Sequence, residues 1–282
     1  MMTHHLLSQD HTILERGAMQ FVPFGVDAQG EPVRDVSGIV IRDNVDYLEE
    51  WMTRTKGTEA ARRAIEDLCR LLNRRLRDPS HHVTLDQLRN VWNSYSYEFT
   101  SYLREFCREL SEDPAFYRNV GQEKHISPLV QALGRSFSLA QVHRMYPYYA
   151  NKFARGLDYS VVTVSESSAV LRMCLTQRVY EQFGPYRKAC VAQICESVKG
   201  RLAMVPAKLH RLPPSTVTDR ACIVRGDEYC EWEVRWQPLS NCHVAWHVWG
   251  MAAGVLTAAA LRSLFPGISI GELVLSMLVP VF

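Results

Sequence analysis

Apolar residues recur every three or four positions from Val45 to Phe153, and every second position across much of the stretch from Asp158 to Trp236. The first period is helical and the second is that of half-buried strands. Tyr47, Leu48, Trp51 and Met52 share one face of a first helix. Ile65, Leu68, Leu71, Leu72 and Leu76 form the buried stripe of a second, capped near Thr58 and stopped by Pro79. Thr84 and Gln87 make a capping box. The helix after it is expected to carry Trp92, Tyr95, Phe99, Tyr102, Leu103 and Phe106 on one stripe as far as about Glu112. Ser127-Pro128 opens another helix. Ser138 and Gln141 cap a further one, bearing Leu139, Val142, Tyr146, Tyr149 and Phe153 and ending at Gly156. Residues 1–43 show no sustained period and read as an irregular arm with one short strand at "SGIVI".

The change of period at 157 marks a change of architecture. "DYSVVTVSESSAVLRMCLT" reads as a hairpin turning at Glu166–Ser168. Gly184-Pro185 opens a helix that Gly200 is expected to close. Two more strands follow, at about 216–224 and 229–236, with Cys230, Trp232, Val234 and Trp236 on the apolar face of the last. The fold class is therefore α+β: an N-terminal helical layer, a β-β-α-β-β antiparallel sheet, then a hydrophobic C-terminal helical hairpin. The expected divisions are an arm (1–43), a helical region (44–156), a sheet domain (157–240) and a membrane hairpin (241–282).

That last segment departs in composition from the rest. "VAWHVWGMAAGVLTAAAL", Val244 to Leu261, has His247 as its only ionisable residue, and an apolar run of about this length is a candidate membrane span. Trp246 and Trp249 suit an interfacial anchor, and a buried helical hairpin is the alternative. The second apolar run carries Glu272, and the abrupt apolar end suggests the front part of a longer polypeptide. The net charge of +2 gives no general basic field for nucleic acid. The opening "MMTHHLLSQDHTILERG" has no signal-peptide core. Eight cysteines scattered along 282 residues point to a reducing compartment. The expected location is membrane-attached, through residues 244–282, with the Arg-rich body in the cytoplasm.

Cys222 and Cys230 flank a tight Arg225-Gly226-Asp227 turn, with Asp219 just ahead. Strands paired across such a turn can bring both thiols to one ion, although Asp219 then alternates to the other face unless a bulge intervenes. The preceding helix offers Cys190 and Cys195, about 140° apart around the helix; Cys190 is preferred as fourth ligand. A Cys3Asp set would favour zinc in a structural role. The alternative is that these cysteines simply pack as small apolar groups.

"RACIVRGDEYCEWEVRW" resembles the C-terminal signature of the 4-vinyl reductase domain, and the β-β-α-β-β order upstream agrees with it. The stretches "VTLDQLRNVWNSYSYEF", "SEDPAFYRNVG" and "SPLVQALGRSFSLAQVHRMYPYYANKF" resemble sensory regions at the front of bacterial histidine kinases and nucleotide cyclases. The resemblance covers residues 80–237. Phenol-responsive activators share the domain, and through them it implies a structural zinc held by Cys190, Asp219, Cys222 and Cys230. Asp219 stands where that pattern has glutamate, and the gap from Cys190 to Cys222 is longer than the pattern's.

No Gly-rich phosphate loop, Ser-His-Asp set or His-Glu-x-x-His motif is present, so the chain shows no catalytic motif. His143 is weighed as an axial haem ligand, but a core or surface role for a helical histidine is the favoured reading, and haem is set aside. The expected function is a membrane-attached sensory module of a bacterial signalling protein that binds a small apolar or aromatic ligand. Trp92, Phe99, Tyr146 and Tyr149 are the candidate pocket, and ligand-induced movement of the last hairpin would pass into the membrane segment. Two alternatives stand beside it: an enzyme or subunit acting on tetrapyrroles (or a haem gas sensor), and a structural module that forms a homodimer, in which the aromatic stripe is core.

Overall fold

A computed structural model describes residues 12–123 and 128–238. After a 3-10 turn at Ile13–Arg16, the two-residue strand β1 (Val36–Ser37) leads into α1 (Gly38–Lys56) and α2 (Thr58–Arg75). Then come α3 (Leu85–Arg89), β2 (Ser94–Tyr95), α4 (Tyr97–Ser111), α5 (Phe116–Glu123), α6 (Pro128–Arg135) and α7 (Leu139–Phe153). The hairpin β3 (Leu157–Val164) and β4 (Ser168–Leu175) is followed by α8 (Gln177–Phe183), α9 (Arg187–His210), β5 (Thr216–Ala221) and β6 (Cys230–Arg235). The four longer strands form an antiparallel sheet in the order β3-β4-β6-β5. One hydrophobic core runs from Ile13 on the arm to Trp236 after β6, so helices and sheet share a single interior.

The α+β order is as the periodicity indicates, and four local differences have physical causes. "SGIVI" starts a helix rather than a strand. Ser37 Oγ accepts the Ile39 amide, and Val40, Ile41, Val45 and Leu48 then turn to the core; packing outweighs the β-branched run. The long aromatic helix is in fact two. Asn90 Oδ1 accepts the Trp92 amide at 3.0 Å in an Asx turn, and Ser96 caps α4 by accepting the Phe99 amide at 3.2 Å. A short helix, α8, precedes Gly184.

The fourth difference concerns Gly200, which does not close its helix. It lies inside α9, where it allows α5 to approach. A Cβ at Gly200 would sit 2.1 Å from the Arg118 carbonyl oxygen, and one at Gly121 would sit 2.1 Å from that of Ser197. The two glycines are reciprocal contact points of one helix crossing, and α9 continues to a left-handed cap at Arg211.

The hydrophobic hairpin assigned to 241–282, His247 included, lies outside the described residues. Among the described residues no helix is long and apolar enough to cross a membrane.

Candidate functional site

Two clusters of chemically capable side chains stand out. The first is a triad of thiols. The apolar alternation of β6 buries Cys230 and Trp232 against α9. A bulge between Asp219 and Ala221 shifts the register of β5. A 3-10 turn at Ile223–Arg225, closed by Gly226 at φ 103°, then returns the chain. Cys222 leads into that turn, and its amide donates to Asp227 Oδ2 at 2.6 Å. Cys195 reaches the same point from α9. Its Sγ lies 3.1 Å from Cys230 Sγ, which is 3.9 Å from Cys222 Sγ. These three sulfurs, all buried, lie within 4.8 Å of one another and are the described group with the spacing to hold a soft metal ion. The neighbouring thiols favour the thiolate of Cys222, and the Lys199 charge adds to this; the thiol of Cys195 is pushed well up.

Cys190 and Asp219 stand apart from the triad. Cys190 faces the other way around α9, beside Ser101 of α4, and burial pushes its thiol up to about 12. Asp219 bonds to Lys199 at 3.0 Å and lies 3.8 Å from Arg225. The sequence reading prefers Cys190, but α9 brings Cys195 to Cys222 and Cys230 instead; the middle of α9 is buried on every side, so helical spacing does not mark which of its faces meets the sheet.

The second cluster lies where α4, α7 and α9 meet the start of β3. Of the four aromatic candidates, Trp92 is 90 % exposed on the turn after α3, and Tyr149 is 48 % exposed. Phe99 is fully buried and stacked on Tyr95 as core. Tyr146 packs edge-on to Tyr159 with ring centroids 5.7 Å apart. Around it are polar groups that the aromatic pattern did not reveal. Tyr97 and Arg104, seven residues apart, share one face of α4, and Arg201 comes from α9. The Tyr97 and Tyr146 hydroxyls and Nε of both arginines are buried without a hydrogen-bond partner. Burial raises the phenols of Tyr97, Tyr146 and Tyr159. Burial, and then the charge of Arg201, lowers Arg104 to about 10.

His143, one turn before Tyr146 on α7, is fully buried and stacked on Trp236 with ring centroids 4.6 Å apart. Neither ring nitrogen has a partner, and desolvation lowers its pKa to about 4. Two surface clefts, of about 380 and 260 Å3, are lined mainly by charged residues such as Arg108 and Glu109, and Arg42 and Asp46; neither reaches this interior.

No family model and no curated protein matches the chain. Among solved structures it is similar to the Fe(II) unliganded H-NOX protein from K. algicida, at 9 % identity over 72 % of this chain and 98 % of that one, TM-score 0.44. It is also similar to the SO2144 H-NOX domain from Shewanella oneidensis in the Fe(II)CO state, at 13 % identity over 72 % and 99 %, TM-score 0.42. Likenesses at this level are too distant to carry a functional argument. They do correct two expectations. The matched structures are H-NOX domains, so the resemblance to the 4-vinyl reductase domain is withdrawn. Zinc as cofactor, with haem set aside, is withdrawn as well, because the matched proteins are named for Fe(II) and heme.

Proposed function

We propose that this chain is a sensory module that takes a small molecule into the interior between α4, α7, α9 and β3, and that His143 fits it to hold a haem. The observation that carries this is the state of His143: fully buried, neutral, and without a partner at either ring nitrogen. A buried polar atom left unbonded costs about 1–3 kcal/mol, and a neutral imidazole is the form that ligates iron. When bound, haem would supply an iron able to take up a diatomic gas. The chain's own part is to position and enclose. Helix α7 fixes the imidazole, Trp236 covers one of its faces, and Tyr146 presents a hydroxyl one turn further on. Coupling to a membrane through residues 244–282, with the body in the cytoplasm, belongs to the same proposal; carbonate extraction of expressed full chain tests it.

Haemin titrated into the purified full chain, followed by absorption spectroscopy, tests the haem reading. The expected result is a saturable shift of the Soret band at one haem per chain. His143→Ala should lose the axial-ligand signature while keeping the circular dichroism of the parent. An unshifted band, or an identical spectrum from His143→Ala, would sink it.

A further inference from the structure

We infer that the outer face of α7 docks the body of this chain on a bilayer of anionic phospholipid. The contact is independent of the haem reading. It needs no insertion of residues 244–282, although anchoring there would strengthen it by proximity. From Lys124 to Leu157 the sequence has no aspartate or glutamate, where 30 acids in 282 residues would place about three or four in a run of that length. The same run holds five lysines and arginines. Soluble surfaces ordinarily intersperse both signs, so a run of one sign fits a negative partner.

Helix α7 lies within this run. It buries Leu139, His143 and Ala150. By the helical period the opposite side carries Arg144, Tyr148 and Lys152, spaced four apart and all exposed. Tyr148 is 61 % exposed, and Tyr149 stands edge-on to it with ring centroids 5.4 Å apart. The Lys152 ammonium lies 4.0 Å from the centre of the Tyr148 ring and donates to its hydroxyl at 2.8 Å. Rings and cations thus form one patch, and no carboxylate pairs with Arg144 or Lys152 among the described residues. A tyrosine ring is apolar in its body and polar at its tip, which suits the headgroup level of a bilayer. Arginine and lysine beside it can reach lipid phosphates. A basic helix face with exposed rings has the composition of a helix that lies in the interface plane. A protein partner fits less well, because protein interfaces are depleted in lysine.

Hydroxyl-radical footprinting read by mass spectrometry tests this on the full chain. The chain is mixed with lipid nanodiscs of phosphatidylcholine, or of an equal mixture of phosphatidylcholine and phosphatidylglycerol. Oxidation of Tyr148 and Tyr149 should fall by roughly threefold or more in the anionic discs only, as burial of the rings at the headgroup boundary requires. Trp92, exposed on another element, should be oxidised equally in both. Salt at about 1 M, where the Debye length is about 3 Å, should restore the oxidation. Arg144→Gln with Lys152→Gln should remove the protection, since two charges at an anionic surface are worth about 30-fold in affinity. Both residues are exposed, so the double variant should keep the circular dichroism of the parent. Arg144→Lys with Lys152→Arg keeps the charge and should be protected as the parent is.

Equal protection in both kinds of disc, or none in either, overturns the proposal. So does protection that survives Arg144→Gln with Lys152→Gln, or a matching loss of oxidation at Trp92, which would mean general shielding by the disc. Protection by soluble polyglutamate with none from anionic discs would assign the face to an acidic protein instead. Protection that rises with protein concentration in the absence of lipid would assign it to a second copy of the chain. Carbonate extraction reads the anchor separately. A chain that is extracted by carbonate yet protected in anionic discs keeps this face and loses only the insertion of residues 244–282.

Discussion

His143 makes the stability of this protein depend on pH in a window that can be stated in advance. Burial lowers its pKa to about 4 from the ordinary histidine value of 6.5. Above pH 6.5 the imidazole is neutral in both folded and unfolded chains and contributes no pH dependence. Between 6.5 and 4 the unfolded chain takes up a proton that the folded chain refuses, so stability falls as pH falls. Below about 4 both states are protonated and the loss is complete. At about 1.4 kcal/mol per unit the full loss is about 3 kcal/mol, with about 1 lost by pH 5.5 and between about 2 and 3 by pH 4.5.

Other groups also titrate there, so the comparison must be differential. His143→Phe keeps a flat ring against Trp236 and removes the titration. Equilibrium urea unfolding of both proteins at pH 7.5, 5.5 and 4.5 isolates the contribution of this one residue. The gap between the curves should open as pH falls, to the disadvantage of the parent. Parallel curves across that range would show that His143 is protonated in the folded state as easily as in the unfolded one, and that its burial has no such consequence.

Other perturbations probe the frame around the interior. Gly200→Ala should gain about 1 kcal/mol of helix propensity but place a methyl group against the Arg118 carbonyl. Because backbone cannot yield as a side chain does, we expect a net loss of about 2 kcal/mol, or about 4–8 °C in melting temperature. Gly121→Ala should behave alike, and the double variant should lose less than the sum, since either methyl already separates α5 from α9. Glu98 is buried, pairs with Arg16, and accepts the Gln20 and Phe21 amides at 2.9 and 2.7 Å. Glu98→Ala should therefore cost about 3–5 kcal/mol in urea unfolding, by stranding Arg16 and two amides. Trp92→Ser should change stability by less than about 0.5 kcal/mol, because the indole lies in solvent; a large loss would mean that the turn after α3 packs differently.

The layer order was legible because the period of the apolar residues changes from helical to alternating at the β3 boundary. Several caps were legible because Thr84 with Gln87, and Ser138 with Gln141, carry both halves of the box. What escaped were features whose meaning depends on distant partners. Gly200 reads locally as a stop, and only the approach of α5 makes it an interior residue. Trp92 and Phe99, also seven apart, fall on one stripe if the helix is unbroken, and the Asn90 and Ser96 turns break it. The preference for Cys190 over Cys195 went astray because the helix is buried all round, and it is the sheet that meets Cys195. Arg104 carries no local mark of its burial, because nothing in the neighbouring sequence distinguishes a buried arginine from an exposed one. His143 was visible as a candidate, but its lack of partners is a property of the packed interior alone.

The same interior also constrains what kind of protein this can be. His143 Nδ1 and Nε2, the Tyr97 and Tyr146 hydroxyls and Nε of Arg104 and Arg201 are six buried polar atoms without partners. At about 1–3 kcal/mol each, their combined cost is comparable to the entire stability of an ordinary domain. A purely structural core would have had every reason to replace them with leucine and phenylalanine, as the neighbouring positions Leu103 and Phe106 show. A ligand that offers a metal to the imidazole and acceptors to the neighbouring donors would offset that cost. Binding would then stabilise the fold by an amount that grows with the logarithm of ligand concentration over Kd.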